Sequence, residues 1–113
     1  MPPDHGAAVA ARVLGDPVLR ARWADELAAM TTRINALREL LASRLATLRP
    51  RQDFSWLARH RGMFSLLPLP ETALLAMRET RHVYALADGR INVAGISADN
   101  VDRVAEAVAA LLG

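Results

Sequence analysis

The sequence predicts an α/β domain in which a long helix and a small mixed or antiparallel sheet are layered with shorter helices. An apolar stripe at helical spacing, short strand-like runs after Pro50 and an amphipathic C-terminal segment lead to this prediction. The 113 residues have the length of one small domain. We divide them into a short helix in 1–15, a long helix in 16–48 and an α/β core in 49–113.

The two N-terminal helices are recognised by their ends. An apolar stretch over 7–14 ends at Gly15, and Asp16 followed by Pro17 is a favourable start for the next helix. Apolar residues then recur at steps of three and four, at Leu19, Trp23, Leu27, Met30, Ile34, Leu37, Leu41, Leu45 and Leu48. A helix over 17–48 is about 45 Å long, which is longer than a domain of this size is wide. It must therefore contact something beyond the small core of this chain. A homodimeric coiled coil is the alternative explanation.

Three short strands are predicted in the C-terminal part, near 63–67, 82–87 and 90–94. Asp88 and Gly89 join the last two, and this dipeptide is a strong hairpin signal. Together with the flanking helices, the strands form the small sheet of the predicted core.

Two further helices surround these strands. One is predicted over 70–80, with proline at its start, and the other begins at Ser97, which has the side chain of a capping residue. The last helix has one apolar face, formed by Val101, Val104, Val108 and Leu111. This face predicts packing against the sheet.

Arg90 follows the Asp-Gly turn directly and begins the last strand. Because side chains alternate along a strand, Ile91 and Val93 share the core face and Arg90 lies on the opposite face. A planar guanidinium at the start of a strand is suited to binding a carboxylate in a fork. The pattern alone leaves open that Arg90 pairs with an acid of this chain, such as Glu79 or Asp88.

The charge balance excludes several classes of function. All 14 basic residues are arginine, and the chain contains neither lysine nor cysteine. Arginine keeps its charge to such a high pH that the net charge of +2 explains a high isoelectric point without a nucleic-acid partner.

The absence of cysteine excludes disulfides and thiolate metal sites. With no long apolar run and no signal-peptide pattern, we expect a cytoplasmic protein without a membrane partner.

Other polar candidates give weak signals. The three histidines, His5, His60 and His82, lack the spacing of metal ligands, so no metal site is predicted. Arg59 and Arg61 flank His60 as in a phosphate-binding patch, but without interleaved aromatics a solvated helix end is the preferred interpretation. Ser65 has no neighbouring residue in the sequence that would activate it as a nucleophile.

Three stretches resemble the C-terminal region of the aspartate and aromatic amino-acid aminotransferases, fold-type I enzymes that use pyridoxal phosphate. They are "PPDHGAAVAARVLGDPVLRARWADELAAMTTRINALRELL", "HRGMFSLL" and "GRINVAGISADNVDRVAEAVAALL". The resemblance extends from Pro2 to about Leu112. It implies that the chain is the small domain of such an enzyme, that helix 16–48 joins the domains, and that helix 1–15 lies on a large domain.

The same resemblance assigns roles to two residues. It implies that Arg90 binds the α-carboxylate of an amino-acid or 2-oxo-acid substrate and that Phe64 lines the site, although an ordinary core position for Phe64 stays open. Arg90 should then be partly accessible and free of an acidic partner. The implied cofactor forms an aldimine with a lysine, and this chain has none. We therefore expect no catalytic residue, no cofactor bound to the chain alone and no independent activity.

Two functions remain open at this stage. In one, the chain is the substrate-binding portion of a longer aminotransferase; in the other, it is a free-standing module that associates with itself or a partner. Both predict homo-oligomers through helices 7–14 and 17–48, because apolar faces on these helices exceed what a small core can cover.

Overall fold

A computed structural model describes residues 3–113, so Met1 and Pro2 of the predicted 1–15 segment lie outside the described residues. The elements in chain order are α1 (His5–Gly15), α2 (Pro17–Leu48), α3 (Ser55–Arg59), β1 (Phe64–Leu66), α4 (Glu71–Arg81), β2 (Arg90–Asn92), a 3-10 turn (Val93–Gly95) and α5 (Val101–Ala109). The predicted α/β class with a small antiparallel sheet is confirmed.

Helix α2 begins and ends where the sequence predicts. The Oδ1 atom of Asp16 accepts hydrogen bonds from the backbone N–H groups of Val18 (2.9 Å) and Leu19 (3.2 Å). These bonds satisfy donors that the first turn of a helix otherwise leaves unpaired. The capping role predicted for Asp16 is therefore confirmed.

The apolar stripe of α2 has two environments. The described chain divides into two compact units, one up to Arg33 and the other Ile34–Gly113, and the boundary lies inside α2. Large apolar side chains of the first unit are exposed, at Val9, Leu14, Val18, Trp23, Leu27 and Met30. In the second unit the stripe is buried at Leu37, Leu41 and Leu45. Only the C-terminal part of the stripe thus belongs to the core.

The core of the second unit draws on every helix within it and on strand β2. Besides the leucines of α2, its larger buried members are Phe54, Leu57, Leu67, Leu74, Met77, Val83, Ile91, Val93, Ile96, Val101 and Val108. Leu57 belongs to α3, a short helix of which the sequence predicted only an end near 59–61. Burial of these side chains is the main favourable contribution to folding of this unit.

The sheet consists of β1 and β2 in antiparallel register, with Phe64 opposite Asn92, Ser65 opposite Ile91 and Leu66 opposite Arg90. Ser65 and Ile91 are buried, whereas the other four side chains are exposed. Since alternate side chains point to opposite faces, one face of the sheet packs on the core. The exposed face carries both Phe64 and Arg90.

The strand predicted over 82–87 is wrong. His82 adopts a left-handed conformation (φ 53°) as the C-cap of α4, and Val83 then enters the core. The N–H of Leu86 donates to the carbonyl of Arg90 (2.9 Å), so the Asp-Gly turn closes, but β2 forms its ladder with β1. The left-handed cap and the burial of Val83 determine the path of this segment, and they override its strand-like composition.

The end of β2 and the start of α5 also differ from the prediction. Strand β2 ends at Asn92, because the Oδ1 atom of Asn92 accepts the N–H of Ala94 (3.0 Å) and starts the 3-10 turn. Helix α5 begins after Asn100 and not at Ser97. The Asn100 side chain accepts the N–H of Ser97 (2.8 Å) and donates to the carbonyl of Gly95 (3.0 Å). These bonds hold residues 97–100 as a turn before the helix.

Gly89 is required by the geometry of the turn before β2. Its φ is +88°, and a Cβ atom there would lie 2.5 Å from the carbonyl oxygen of Leu67. Gly89→Ala should therefore lower the free energy of unfolding by about 3 kcal/mol, because of backbone strain and the clash.

Gly62→Ala is the matched control, because Gly62 has a φ of +80° but no atom within 4 Å of such a Cβ. We expect a loss of about 1 kcal/mol there. Equal losses in urea unfolding would contradict the role of the Leu67 contact.

Candidate carboxylate-binding site

The exposed face of the sheet forms a shallow depression of about 340 Å³. It is lined by His60, Arg61, Phe64, Ser65, Leu66 and Arg90. The register places Phe64 and Arg90 diagonally across the two strands, which is within reach of long side chains. Phe64 is 47% exposed, so it is not a core residue of the described chain. The two residues singled out from the sequence are thus brought together beside one cavity.

Arg90 is accessible but paired. Its side chain is 53% exposed, and its Nε donates to the Oδ2 atom of Asp88 at 2.7 Å. The expectation of accessibility is confirmed, whereas the expectation that Arg90 lacks an acidic partner is wrong. The pair forms because Asp88 precedes Arg90 by only two residues, and the Asp-Gly turn between them brings the Asp88 carboxylate to the Arg90 side chain. In the described structure the Nη1 and Nη2 atoms of Arg90 make no hydrogen bond, so they remain available to a ligand.

Asp88 is held in its ionised form by its neighbour. The backbone N–H of Arg90 donates to Oδ1 (3.1 Å) and is the main cause that lowers the pKa of Asp88. Desolvation, the second-largest cause, raises this pKa, and the hydrogen bond and the charge of the Arg90 guanidinium lower it. A lowered carboxyl pKa means that the contacts stabilise the fold above the ordinary value of 3.8 and are lost as the pH falls through the folded-state pKa. The ion pair is therefore intact at neutral pH.

Arg38 supports this face from below, and the sequence analysis did not identify it. It is only 1% exposed, and its Nε donates to the Oγ of Ser65 at 3.1 Å. Nη1 donates to the Oδ1 of Asn35 (3.0 Å), and Nη2 donates to the carbonyl oxygens of Gly62 and Phe64, the latter at 3.5 Å. Three of these four acceptors lie in or next to β1. Arg38 therefore ties α2 to the strand that carries Phe64.

The spacing along α2 offered a signal for Arg38. It follows Ile34 by four residues and precedes Leu41 by three, so it occupies a position on the buried side of the helix. An arginine at such a position needs buried acceptors, because burying an unsatisfied charge is costly. Apart from Asn35 on the same helix, the sequence cannot identify those acceptors, since they come from a loop and a strand more than 20 residues away.

Arg61 contributes a second positive charge at the depression. Its Nη1 donates to the backbone carbonyls of Ala58 (3.3 Å), Arg59 (3.3 Å) and His60 (3.0 Å), where α3 ends. This agrees with the interpretation of the segment as a solvated helix end. Desolvation lowers the pKa of Arg38, and repulsion from Arg61 lowers it further. Two of the residues that line the depression, Arg61 and Arg90, therefore carry a positive charge.

The described part of the chain offers neither a metal-binding cluster nor a membrane-spanning helix. Within residues 3–113, no group of three or more His, Cys, Asp or Glu side chains is arranged to hold a metal ion. No helix in that part of the chain combines the length and apolar character needed to cross a membrane. Of the histidines, His60 packs beside Trp56, with 5.3 Å between the two ring centroids and an interplanar angle of 54°.

Comparison with known proteins identifies the class to which this chain belongs. Residues 1–108 match the family model for aminotransferase class I and II. The chain belongs to this family.

Particular relatives agree in sequence and in structure. The chain is 42% identical to the aspartate aminotransferase of Escherichia coli K12 over 111 residues, which are 98% of this chain and 28% of the relative. The crystal structure of the aromatic-amino-acid aminotransferase from Burkholderia pseudomallei, covalently bound to pyridoxal phosphate, is similar with a TM-score of 0.90, 44% identity and coverage of 99% and 28%. An aromatic amino acid aminotransferase with 3-indolepropionic acid is similar with a TM-score of 0.95, 36% identity and coverage of 100% and 29%. The chain thus spans about 28% of the length of these relatives.

Proposed function

We propose that this chain is the C-terminal, substrate-carboxylate-binding portion of a pyridoxal-phosphate-dependent aspartate or aromatic amino-acid aminotransferase. In this role Arg90 binds the α-carboxylate of an amino-acid or 2-oxo-acid substrate through its Nη atoms. Phe64 forms a wall of the site and keeps water from one side of the substrate. A cytoplasmic location belongs to the same proposal.

The observation that carries this proposal is the placement of Arg90 and Phe64 on one exposed sheet face beside a depression of about 340 Å³. A cavity of this size matches the lower range of small-molecule sites. The Nη1 and Nη2 atoms form the end of a planar fork that can bind both oxygens of a carboxylate. Phe64 presents an apolar surface on the same face, as an organic acid with an apolar carbon skeleton would require.

The residues of this chain do not fit covalent attachment of the cofactor. Pyridoxal phosphate supplies an electron sink to a transaminase and is attached there to a lysine amine. This chain contains no lysine at any of its 113 positions. We therefore assign it no step of the chemistry at the cofactor, and we propose that it is catalytically incomplete alone.

A second candidate function is a module that works by association. The exposed apolar side chains of the first unit, including Trp23, Leu27 and Met30, favour it, since apolar patches on a monomer commonly mark interaction surfaces. We propose that α1 and α2, the helices predicted over 7–14 and 17–48, mediate association of copies of this chain or its contact with further aminotransferase sequence. The second function differs from the first in requiring no substrate site.

A chimeric enzyme tests the proposed function. The matching 111-residue portion of the Escherichia coli aspartate aminotransferase is replaced by this chain, and transamination of aspartate and of an aromatic amino acid is measured. We expect transaminase activity with at least one of the two substrates, because the chain supplies the carboxylate site and the host supplies the lysine. The isolated chain, assayed with added pyridoxal phosphate, should be inactive.

The controls separate the two candidate functions. A folded chimera that binds the cofactor but has no activity with either substrate would contradict the proposed substrate role and favour the association module. Activity of the isolated chain would contradict its proposed incompleteness.

A further inference from the structure

Asp88 occupies one edge of the Arg90 guanidinium and leaves the other edge open. A guanidinium can bind a carboxylate through its Nη1 and Nη2 atoms or through Nε and one Nη atom. The Oδ2 atom of Asp88 lies 2.7 Å from Nε. A ligand carboxylate must therefore approach Arg90 end-on, at Nη1 and Nη2.

Asp88 itself is held firmly. Its Oδ1 atom accepts the backbone N–H of Arg90 at 3.1 Å while its Oδ2 atom accepts Nε, so one carboxylate bridges the main chain and side chain of the same residue. The backbone there is restrained by the pairing of Arg90 with Leu66 in the sheet. An exposed arginine otherwise samples many rotamers, and a ligand must restrict them on binding.

We propose that Asp88 is a positioning residue that holds Arg90 with its Nη1 and Nη2 edge presented to the ligand carboxylate. The inference rests on the proposed carboxylate-binding role of Arg90. Asp88 has two opposing effects on such a ligand: its negative charge weakens the attraction, and its bonds restrict the arginine before binding. Substitutions at position 88 separate the two effects.

The expected order of affinities follows from this separation. Asp88→Asn removes the charge but keeps a side-chain oxygen as acceptor, so it should bind a carboxylate at least as well as the unaltered chain. Asp88→Ala removes both the charge and the acceptor, so it should bind about threefold more weakly than Asp88→Asn. Asp99→Ala removes another exposed acid of the same unit and is the control for net charge. The three variants have the same net charge, so a difference in affinity between Asp88→Asn and Asp88→Ala reports on the side-chain acceptor and not on net charge.

The experiment uses the full chain and two readouts from nuclear magnetic resonance. The first is the dissociation constant for 3-indolepropionic acid, the carboxylate present in the structure of one relative, measured from shifts in Arg90 and Phe64 at constant ionic strength. The second is the rate at which the Nε proton of Arg90 exchanges with water. This exchange should be slow in the unaltered chain and faster in Asp88→Ala, because the bond to Oδ2 protects the proton. A merely structural role of Asp88 would not order the affinities in this way.

Different results would contradict the role of Asp88 and the role of Arg90. Equal affinities of Asp88→Asn and Asp88→Ala, or an Nε proton that stays protected in Asp88→Ala, would overturn the positioning role of Asp88. Arg90→Gln should abolish binding; if it binds as well as the unaltered chain, or if the unaltered chain shows no saturable shift, the proposed carboxylate role of Arg90 fails. In that case the exchange rate still decides whether Asp88 holds the arginine.

Discussion

Replacement of Arg90 by leucine in the chimeric aminotransferase should lower kcat/KM about a thousandfold. The loss corresponds to about 4 kcal/mol of transition-state stabilisation, within the range for removing one partner of a desolvated charge pair. Leucine retains an apolar side chain but offers no donor to the substrate carboxylate. Steady-state kinetics with aspartate and with an aromatic amino acid, compared with the unaltered chimera, measures the effect.

Two controls show whether Arg90 acts on the substrate or on the fold. Arg90→Lys keeps the charge and loses the fork, so its kcat/KM should lie between those of the other two proteins. In the isolated chain, Arg90→Leu should change the free energy of unfolding by about 1 kcal/mol or less, because the side chain is 53% exposed and solvent screens its pair with Asp88. A loss of about 3 kcal/mol or more would show a structural arginine instead.

Arg38→Ala should destabilise the second unit by about 4 kcal/mol. The substitution leaves a cavity at a side chain that is 1% exposed, and it leaves the carbonyl of Gly62 and the hydroxyl of Ser65 without their buried donor. A buried cavity and unpaired buried polar groups together lower the free energy of unfolding by several kcal/mol. Urea unfolding followed by the fluorescence of Trp56, in a Trp23→Phe background, reports on this unit.

Arg44→Ala is the matched control on the same helix. Arg44 pairs with Asp102 at 2.6 Å, but its side chain is 47% exposed, so its loss should cost about 1 kcal/mol or less. Arg38→Lys should fall between the two, because an ammonium keeps the charge without the planar set of donors. Similar losses in Arg38→Ala and Arg44→Ala would contradict the supporting role of Arg38.

Local patterns in the sequence were sufficient for most helices. Asp16 and Pro17 define the start of α2, and an apolar residue at every third or fourth position predicts its full length to Leu48. The alternation of Arg90 and Ile91 predicts which side chain faces the core, because a strand has a period of two. The resemblance to aminotransferases was confirmed by the family match. The helix start, the helical period and the strand alternation depend on neighbours within a few positions along the chain.

The tertiary structure decided what depends on distant residues. Segment 82–87 has the composition of a strand, yet β2 pairs with β1, and the turn after α4 leads Val83 into the core. Apart from Asn35, the acceptors of Arg38 lie in residues 62–65, and no pattern within α2 identifies them. For Arg90 the sequence left open whether it pairs with an acid; only the folded turn brings Asp88 to its Nε and leaves its Nη atoms available. Side-chain hydrogen bonds form where the fold places donor and acceptor within about 3 Å, and sequence periodicity contains no such distance.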